Sequence, residues 1–396
     1  MTDALRADFL RYVCQTGPQP LGLVVTRAQG TRIWDCDGRE YLDLLSGMGV
    51  ANIGHAHPAV VHAVKAQADA YLHVMVYGEM VQEPQVTLAR RLATLAPGDL
   101  SVVYFSNSGA EAVDGALKTA RKFTGRSVMV TFDGAFHGDT FGALSVGGNP
   151  LYKEPFGPLL SDVMLLPFDD ESALSRIDGS VAAVIVEPVQ GEGGVRIPSE
   201  TFLPALRRRC SDVGALLIAD EVITAFGRTG KMFACEHWGV VPDILVLAKA
   251  LGGGMPLGAF IGSPALMQTL SHDPPLAHVT TFGGHPVSCA AGVAALEVVC
   301  NDRLDERAAQ VGAQWVAQLR ALNGLRAVRG KGLLVALEFD SPSATRRFVS
   351  QCFDRGLILN WTLHRDTVVR LSPPLTISAE ELAHATGVMR DVLREV

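Results

Sequence analysis

A mainly parallel, doubly wound α/β sheet with a smaller α+β domain attached is the fold this sequence predicts, and three observations predict it. Short, continuously apolar runs recur at 102–105, 128–132, 182–186, 216–219, 244–247 and 259–261, as expected of strands buried on both faces. Stretches such as 111–123 and 201–213 lie between them with helical patterning, the alternation that builds a parallel sheet covered by helices. The chain has 396 residues, 48% hydrophobic and 19% charged, which suits an ordered chain of more than one compact core.

Taken in order, the opening residues 1–52 contain Thr31-Arg32-Ile33-Trp34-Asp35 followed by the turn Cys36-Asp37-Gly38-Arg39, a hairpin signal. This segment is expected to pack with the small domain. Residues 53–285 hold the six apolar runs and form the large domain. From 286 to 396 a long helix (288–300), strands at 333–339 and 368–371, and a final helix from about Ala379 form the small one.

Bulk properties remove several classes of function. A net charge of -7 without a basic stripe argues against nucleic acid, and Arg207-Arg208-Arg209 reads as a solvated helix face. Seven cysteines (14, 36, 210, 235, 289, 300, 352), odd in number and never spaced as CxxC, read as reduced core thiols. Neither a signal-peptide pattern nor a membrane-spanning apolar stretch occurs, so the cytoplasm is the expected compartment, with no membrane partner. His55-Ala56-His57 offers two ligands without an acidic or cysteine cluster nearby in sequence, and no metal site is expected. Hydrolase elbows, Walker loops and dinucleotide fingerprints are absent from the sequence.

In a parallel sheet, reactive groups gather where strands deliver their carboxyl ends to one crevice. Three apolar runs end in charge: 184–186 in Glu187, 216–219 in Asp220-Glu221, and 244–248 in Lys249. Lysine and aspartate are seldom buried unless paired or employed. Lys249 leads into Gly252-Gly253-Gly254, which lets backbone approach a bulky ligand and leaves the lysine room to swing. A lysine lowered in pKa by desolvation can carry a carbonyl cofactor as a Schiff base and then move a proton. A carboxylate such as Asp220 can keep the ring nitrogen of pyridoxal 5'-phosphate protonated. The turn Ser106-Asn107-Ser108-Gly109-Ala110-Glu111, between a strand and a helix, can receive its phosphate on backbone N–H groups of Ser108, Gly109 and Ala110.

The ordered set Gly54-His55-Ala56-His57-Pro58, Asn107-Ser108-Gly109-Ala110-Glu111-Ala112, Phe136-His137-Gly138, Glu187-Pro188-Val189-Gln190-Gly191-Glu192-Gly193-Gly194, Asp220-Glu221-Val222, Phe226-Gly227-Arg228-Thr229-Gly230 and Leu247-Ala248-Lys249-Ala250-Leu251-Gly252-Gly253-Gly254 resembles the class-III aminotransferases of the ornithine, acetylornithine and omega-amine type. The resemblance spans nearly the whole chain. It implies the aspartate-aminotransferase fold (fold type I), with Lys249 and Asp220 catalytic and Phe136 and Val222 on either face of the cofactor ring. It further implies that His137 and Glu187 contact the cofactor, and that Thr281 binds the phosphate of the neighbouring subunit's cofactor. The active form is then a homodimer or a dimer of dimers with sites at the interface. Glu192 and Arg370 match a pair that switches between a substrate carboxylate and an amine end, and Tyr77, in the stretch 73–80, is expected beside the substrate. The reaction implied is ping-pong transfer of an amino group from an amine, diamine or omega-amino acid donor to a keto acid acceptor.

Three positions depart from the family pattern. Asp139 stands where ornithine, acetylornithine and aminobutyrate enzymes carry Arg, Ile223 where many relatives have Gln, and His285 where Asn is usual. Asp139 removes a second carboxylate clamp. A racemase, aminomutase, decarboxylase or phospholyase would use the same lysine and aspartate and is the alternative within the fold. A non-catalytic binding protein would have lost Lys249, Asp220 or the phosphate cup, and all are present.

Overall fold

The computed structural model describes residues 2–18 and 20–395. Near the N-terminus, β1 (Val25–Gln29), β2 (Arg32–Asp35) and β3 (Glu40–Asp43) form an antiparallel ribbon. A seven-stranded sheet then contains β4 (Val102–Ser106), β5 (Val128–Phe132), β6 (Val163–Leu166), β7 (Val181–Val186), β8 (Leu216–Asp220), β9 (Ile244–Leu247) and β10 (Gly258–Gly262), in the order β4-β10-β9-β8-β7-β5-β6. Its middle strands are buried end to end, which is why the sequence shows them as unbroken apolar runs.

Strands β6, β5, β7, β8 and β9 are mutually parallel, whereas β10 is antiparallel to both β9 and β4. The reversal has a local cause. Between Leu247 and Gly258 the chain makes a 3-10 turn, Lys249–Gly252, and passes Gly253 and Gly254 at φ 58° and 110°, too short a path for a helical crossover. Two reversals return β4 to the direction of β9, so six of the seven strands end at the same sheet edge.

The C-terminal strands are β11 (Ala327–Lys331), β12 (Leu334–Glu338), β13 (Leu357–Ile358), β14 (Asn360–Trp361) and β15 (Val368–Leu371). Four of them form the sheet β11-β12-β15-β14, while β13 pairs in parallel with β3. The N-terminal ribbon is thereby joined to the C-terminal part of the chain, and Thr31 Oγ1 donates to Glu381 Oε1 of the last helix at 2.5 Å. Leu42 and Leu44 share one core with Trp315, Phe348, Leu371 and Met389.

Helix Gly109–Thr124 covers one face of the large sheet with Ala112, Val113, Ala116, Leu117 and Ala120, and helix Phe202–Val213 packs Phe202, Leu203 and Leu206 into a core that includes Val130 and Val184. The arginine triplet on this second helix is not simply solvated. Arg207 pairs with Asp243 at 2.7 Å and Arg209, on the opposite flank of the helix, donates to the Ile177 carbonyl at 2.7 Å, and only Arg208 is exposed. All seven cysteines are free thiols, but Cys14 and Cys300 are exposed and Cys36 is half-buried, on helix ends and a turn that the core does not reach.

Candidate active site

Five strand ends supply one cavity. Ser106 closes β4 and leads to residues 107–110, Phe132 closes β5 ahead of Phe136 and His137, and Glu187 follows β7 directly. Asp220 is the last residue of β8, and Lys249 lies two residues beyond β9. The cavity has a volume of about 390 Å³, and Ser108, Gly109, Ala110, Phe136, His137, Glu187, Glu192, Asp220, Val222 and Lys249 all line it. Of the residues singled out in the sequence, these ten are brought together.

At the edge formed by β4, Ser108 caps helix Gly109–Thr124 by accepting the Glu111 N–H at 3.2 Å, and Glu111 Oε2 accepts the Asn107 N–H at 2.8 Å in return. The N–H groups of Gly109 and Ala110 belong to the first helical turn and have no intrahelical acceptor, so they are available to an anion, aided by the helix dipole. A side chain at Gly109 would press its Cβ to 3.1 Å from both Val222 methyl groups. Gly138 is more demanding: at φ +123° its Cβ would fall 2.5 Å from Ala110 Cβ, so only glycine lets the His137 loop lie against the helix start.

The carboxylate of Asp220 is 3% exposed and accepts on both oxygens: His137 Nδ1 at 2.7 Å on Oδ2, and the Val222 N–H at 3.1 Å on Oδ1. The donor on His137 is therefore Nδ1–H. Its other nitrogen, Nε2, is buried without a partner among the described residues. Glu187 Oε1 and Oε2 accept the N–H groups of Phe136 at 3.0 Å and Gly191 at 2.8 Å, tying the strand end to both neighbouring loops. Burial pushes the Glu187 carboxyl up to about 7.

Lys249 adopts φ +48°, a left-handed conformation that costs a non-glycine residue on the order of 1–3 kcal/mol. Burial pulls its pKa down from the usual lysine value, and the Arg370 charge pulls the same way against Glu192, Asp220 and Glu187. A lysine so placed is a better nucleophile and proton carrier than a solvated one. Beside it Arg370, 1% exposed, pairs with Glu192 Oε1, while its Nη2 lies 3.5 Å from Met48 Sδ and its Nε has no partner. Glu192 Oε2 is separately held by the Leu363 N–H at 2.7 Å. Burial raises the Glu192 carboxyl, but the Arg370 charge and its hydrogen bonds prevail and hold it below its ordinary value.

The residues present fit pyridoxal 5'-phosphate: a lysine of lowered pKa, a buried carboxylate, unpaired helix-start N–H groups and an orphaned buried imidazole nitrogen share one cavity of small-ligand size. Among the described residues no group of three or more His, Cys, Asp or Glu could hold a metal ion. His55 instead bonds Asp43 at 2.7 Å, and His57 accepts the Ala59 N–H at a helix start.

Three expected site residues lie outside this lining, Arg370 among them although it pairs with the lining residue Glu192. Tyr77 borders a separate groove with Val86, Tyr104 and Leu276. Thr281 is exposed, and its carbonyl accepts from His73 Nε2 at 2.9 Å, so residues 73–80 are held against this segment rather than over the cavity. Val50, Ile223 and Pro256 also line the cavity. Val50 follows a turn with Ser46, Gly47, Met48 and Gly49 all at positive φ, and neither Ser46 nor Met48 signals that conformation in the sequence. His364 was equally silent, yet its ring stands edge-on to Phe136 at 5.8 Å and stacks on Tyr152 at 5.1 Å.

Comparison with known proteins places the whole chain. The family model described as aminotransferase class-III matches residues 13–393. A putrescine aminotransferase of Pectobacterium atrosepticum is 43% identical, over 95% of this chain and 83% of its own length. An acetylornithine aminotransferase of Methanopyrus kandleri is 45% identical, over 92% of this chain and 93% of its own. Among solved structures, ornithine aminotransferase from Toxoplasma gondii superposes with a TM-score of 0.93 at 33% identity, covering 100% of this chain and 95% of that one. An amine transaminase from an uncultivated Pseudomonas species, in its PLP-bound form, gives 0.90 at 31% identity, covering 97% and 98%.

Proposed function

The chain belongs to the class-III aminotransferases, enzymes that transfer amino groups, and on that premise we propose that it holds pyridoxal 5'-phosphate in the cavity and works by a ping-pong mechanism. The observation that carries the reading is the convergence of Lys249 and the His137-bonded Asp220 on the one cavity that also holds the Gly109 and Ala110 N–H groups. When bound, the cofactor supplies an electron sink for the bond broken at the substrate carbon.

The chain's own residues divide the remaining work. Ser108, Gly109 and Ala110 receive the phosphate on backbone N–H groups at a helix start. Asp220, fixed by His137 and by the Val222 N–H, presents a charge that keeps the ring nitrogen protonated. Phe136 and Val222 supply the apolar walls for the ring, and Glu187 holds the Phe136 loop in place. Lys249 would hold the cofactor through its Nζ, and the same Nζ would take and return the proton of the substrate carbon. Arg370 leaves Glu192 to clamp the carboxylate of the keto acid acceptor and returns to it when an amine end enters.

The donors are amines, diamines or omega-amino acids, in keeping with the names of the relatives. We further propose a homodimer, or a dimer of dimers, in which Thr281 reaches the phosphate at the neighbouring subunit's site and Tyr77 lies on the same surface. No described helix is long and apolar enough to cross a membrane; the cytoplasm is our proposal for its compartment, in keeping with seven cysteines that are all free thiols. The test is incubation of the holoenzyme with an amine donor and pyruvate or 2-oxoglutarate. An amino group appearing on the acceptor is expected; loss of the donor without aminated acceptor would instead indicate a racemase- or lyase-type reaction.

A further inference from the structure

At the rim of the cavity, next to Phe136, the connection between β14 and β15 lays Leu363 and His364 across the loop that carries Glu192. The His364 N–H donates to the Glu192 carbonyl at 3.1 Å, and the Tyr152 hydroxyl donates to the Leu363 carbonyl at 2.9 Å. His364 Nδ1 lies 3.1 Å from the Gly134 carbonyl. A carbonyl can only accept, so Nδ1 carries the proton, and in the neutral ring Nε2 is left as a lone-pair acceptor. Among the described residues no partner for Nε2 is found, and it is not among the buried orphans.

Two carboxylates pull on this imidazole, and His137, which acts against them, is itself bonded to Asp220 at 2.7 Å. Asp139 and Glu192 both act on the His364 ring, Asp139 being exposed, and Asp366 and Glu192 act on Tyr152. The neighbouring cations are already engaged: Arg370 by Glu192, Arg346 by Asp366 at 3.1 Å, Arg365 by Glu338 at 2.8 Å, and Lys153 by the carbonyls of Ser145 and Gly147. Burial holds the His364 imidazole below its usual pKa, against the pull of those carboxylates. Among the described residues the rim thus offers an acceptor nitrogen, an unpaired carboxylate and two aromatic rings, and its arginines are paired with carboxylates. That is the chemistry that receives an ammonium group and repels a carboxylate.

We propose that His364 Nε2 and Asp139, with Tyr152 and Phe136 as apolar walls, form the receiving site for a distal ammonium group, so that α,ω-diamines are preferred over monoamines of the same length. The inference rests on the aminotransferase reading and deepens it: the amine that reacts enters beside Lys249, while the far amine is held at the rim. Exposed Asp139 can be changed without disturbing the fold, and a phenylalanine at 364 keeps the stacking on Tyr152 while removing the lone pair.

The experiment compares kcat/KM for 1,4-diaminobutane and for butylamine, with pyruvate as acceptor, in the wild-type, Asp139→Asn and His364→Phe holoenzymes. Wild type is expected to favour the diamine by about tenfold or more, and each substitution to cut that preference about tenfold, the size of one charge-assisted hydrogen bond. The same order should appear as binding, by calorimetry in a Lys249→Ala background where turnover is absent. Equal use of the two amines by wild type, or an Asp139→Asn ratio within about twofold of wild type, overturns the distal site while leaving amino transfer standing. Failure of both amines, and of every other donor, to aminate the acceptor overturns the aminotransferase reading and the site with it.

Discussion

At the scale of single residues, three of the four charges that the sequence placed at the ends of apolar runs meet in the cavity, while Glu221 faces away and accepts the N–H groups of Ala234 and Cys235 at 2.7 Å. Glu187, Asp220 and Lys249 were legible because a charged residue after a buried strand is expensive unless used. His364, Met48 and Val50 were not, because they arrive from turns whose geometry depends on tertiary partners such as the Gly134 carbonyl and Arg370. Glu187 carries a prediction of its own. Its pKa in the fold, about 7, lies above the ordinary 4.5, so the folded chain keeps a proton that the unfolded chain has lost. The associated stabilisation is complete below about pH 4.5 and is lost as pH rises through about 7. Relative to Glu187→Gln, the cofactor-free wild type should lose about 3 kcal/mol across that window, read from denaturant midpoints at each pH. A flat difference would show that Glu187 is ionised throughout.

At the scale of elements, five of the seven large-sheet strands announced themselves through unbroken apolar runs, and β10 did too, but its direction did not. Periodicity reports burial and carries no sign, and only the short Lys249–Gly252 turn decides that β10 runs back beside β9. Strand β11 escaped because Ala-Val-Arg-Gly-Lys lacks an apolar run, whereas β6, Val-Met-Leu-Leu, is apolar throughout yet only partly buried at the sheet edge and was missed for want of a helical or turn signal beside it. The helix start at Gly109 came two residues earlier than the apolar pattern suggested, since its first turn is set by the Ser108 cap rather than by packing. The close approach of the His137 loop to that helix gives a test. Gly138→Ala should cost about 2–4 kcal/mol of stability, from the positive φ and the 2.5 Å contact together, and should weaken cofactor retention. Thermal denaturation and dialysis against cofactor-free buffer would read both; an unchanged melting temperature would mean that the loop stands off the helix.

At the scale of the molecule, the N-terminal ribbon meets the C-terminal strands through the parallel pairing of β3 with β13. The surface that carries Thr281 exposes large apolar side chains: Phe282 is 54% exposed and Leu276 64%. Covering such residues favours association by about 25 cal/mol per Å². Sedimentation should therefore show a dimer or tetramer at micromolar concentration. Thr281→Ala should leave that mass unchanged and raise the cofactor dissociation constant about tenfold, the loss of one hydrogen bond to a charged group. A stable monomer that retains full activity would remove the neighbouring subunit from the site.

The most direct measurement is the visible spectrum of the purified holoprotein, wild type and Lys249→Ala, before and after addition of an amine donor without keto acid. The wild type should show a cofactor band that disappears with the donor and returns when pyruvate is added. Lys249→Ala should fold normally but lose turnover by at least about 10³-fold. A wild-type band that no donor alters, or appreciable transfer by Lys249→Ala, would contradict the assignment of Lys249 as the group on which the chemistry turns.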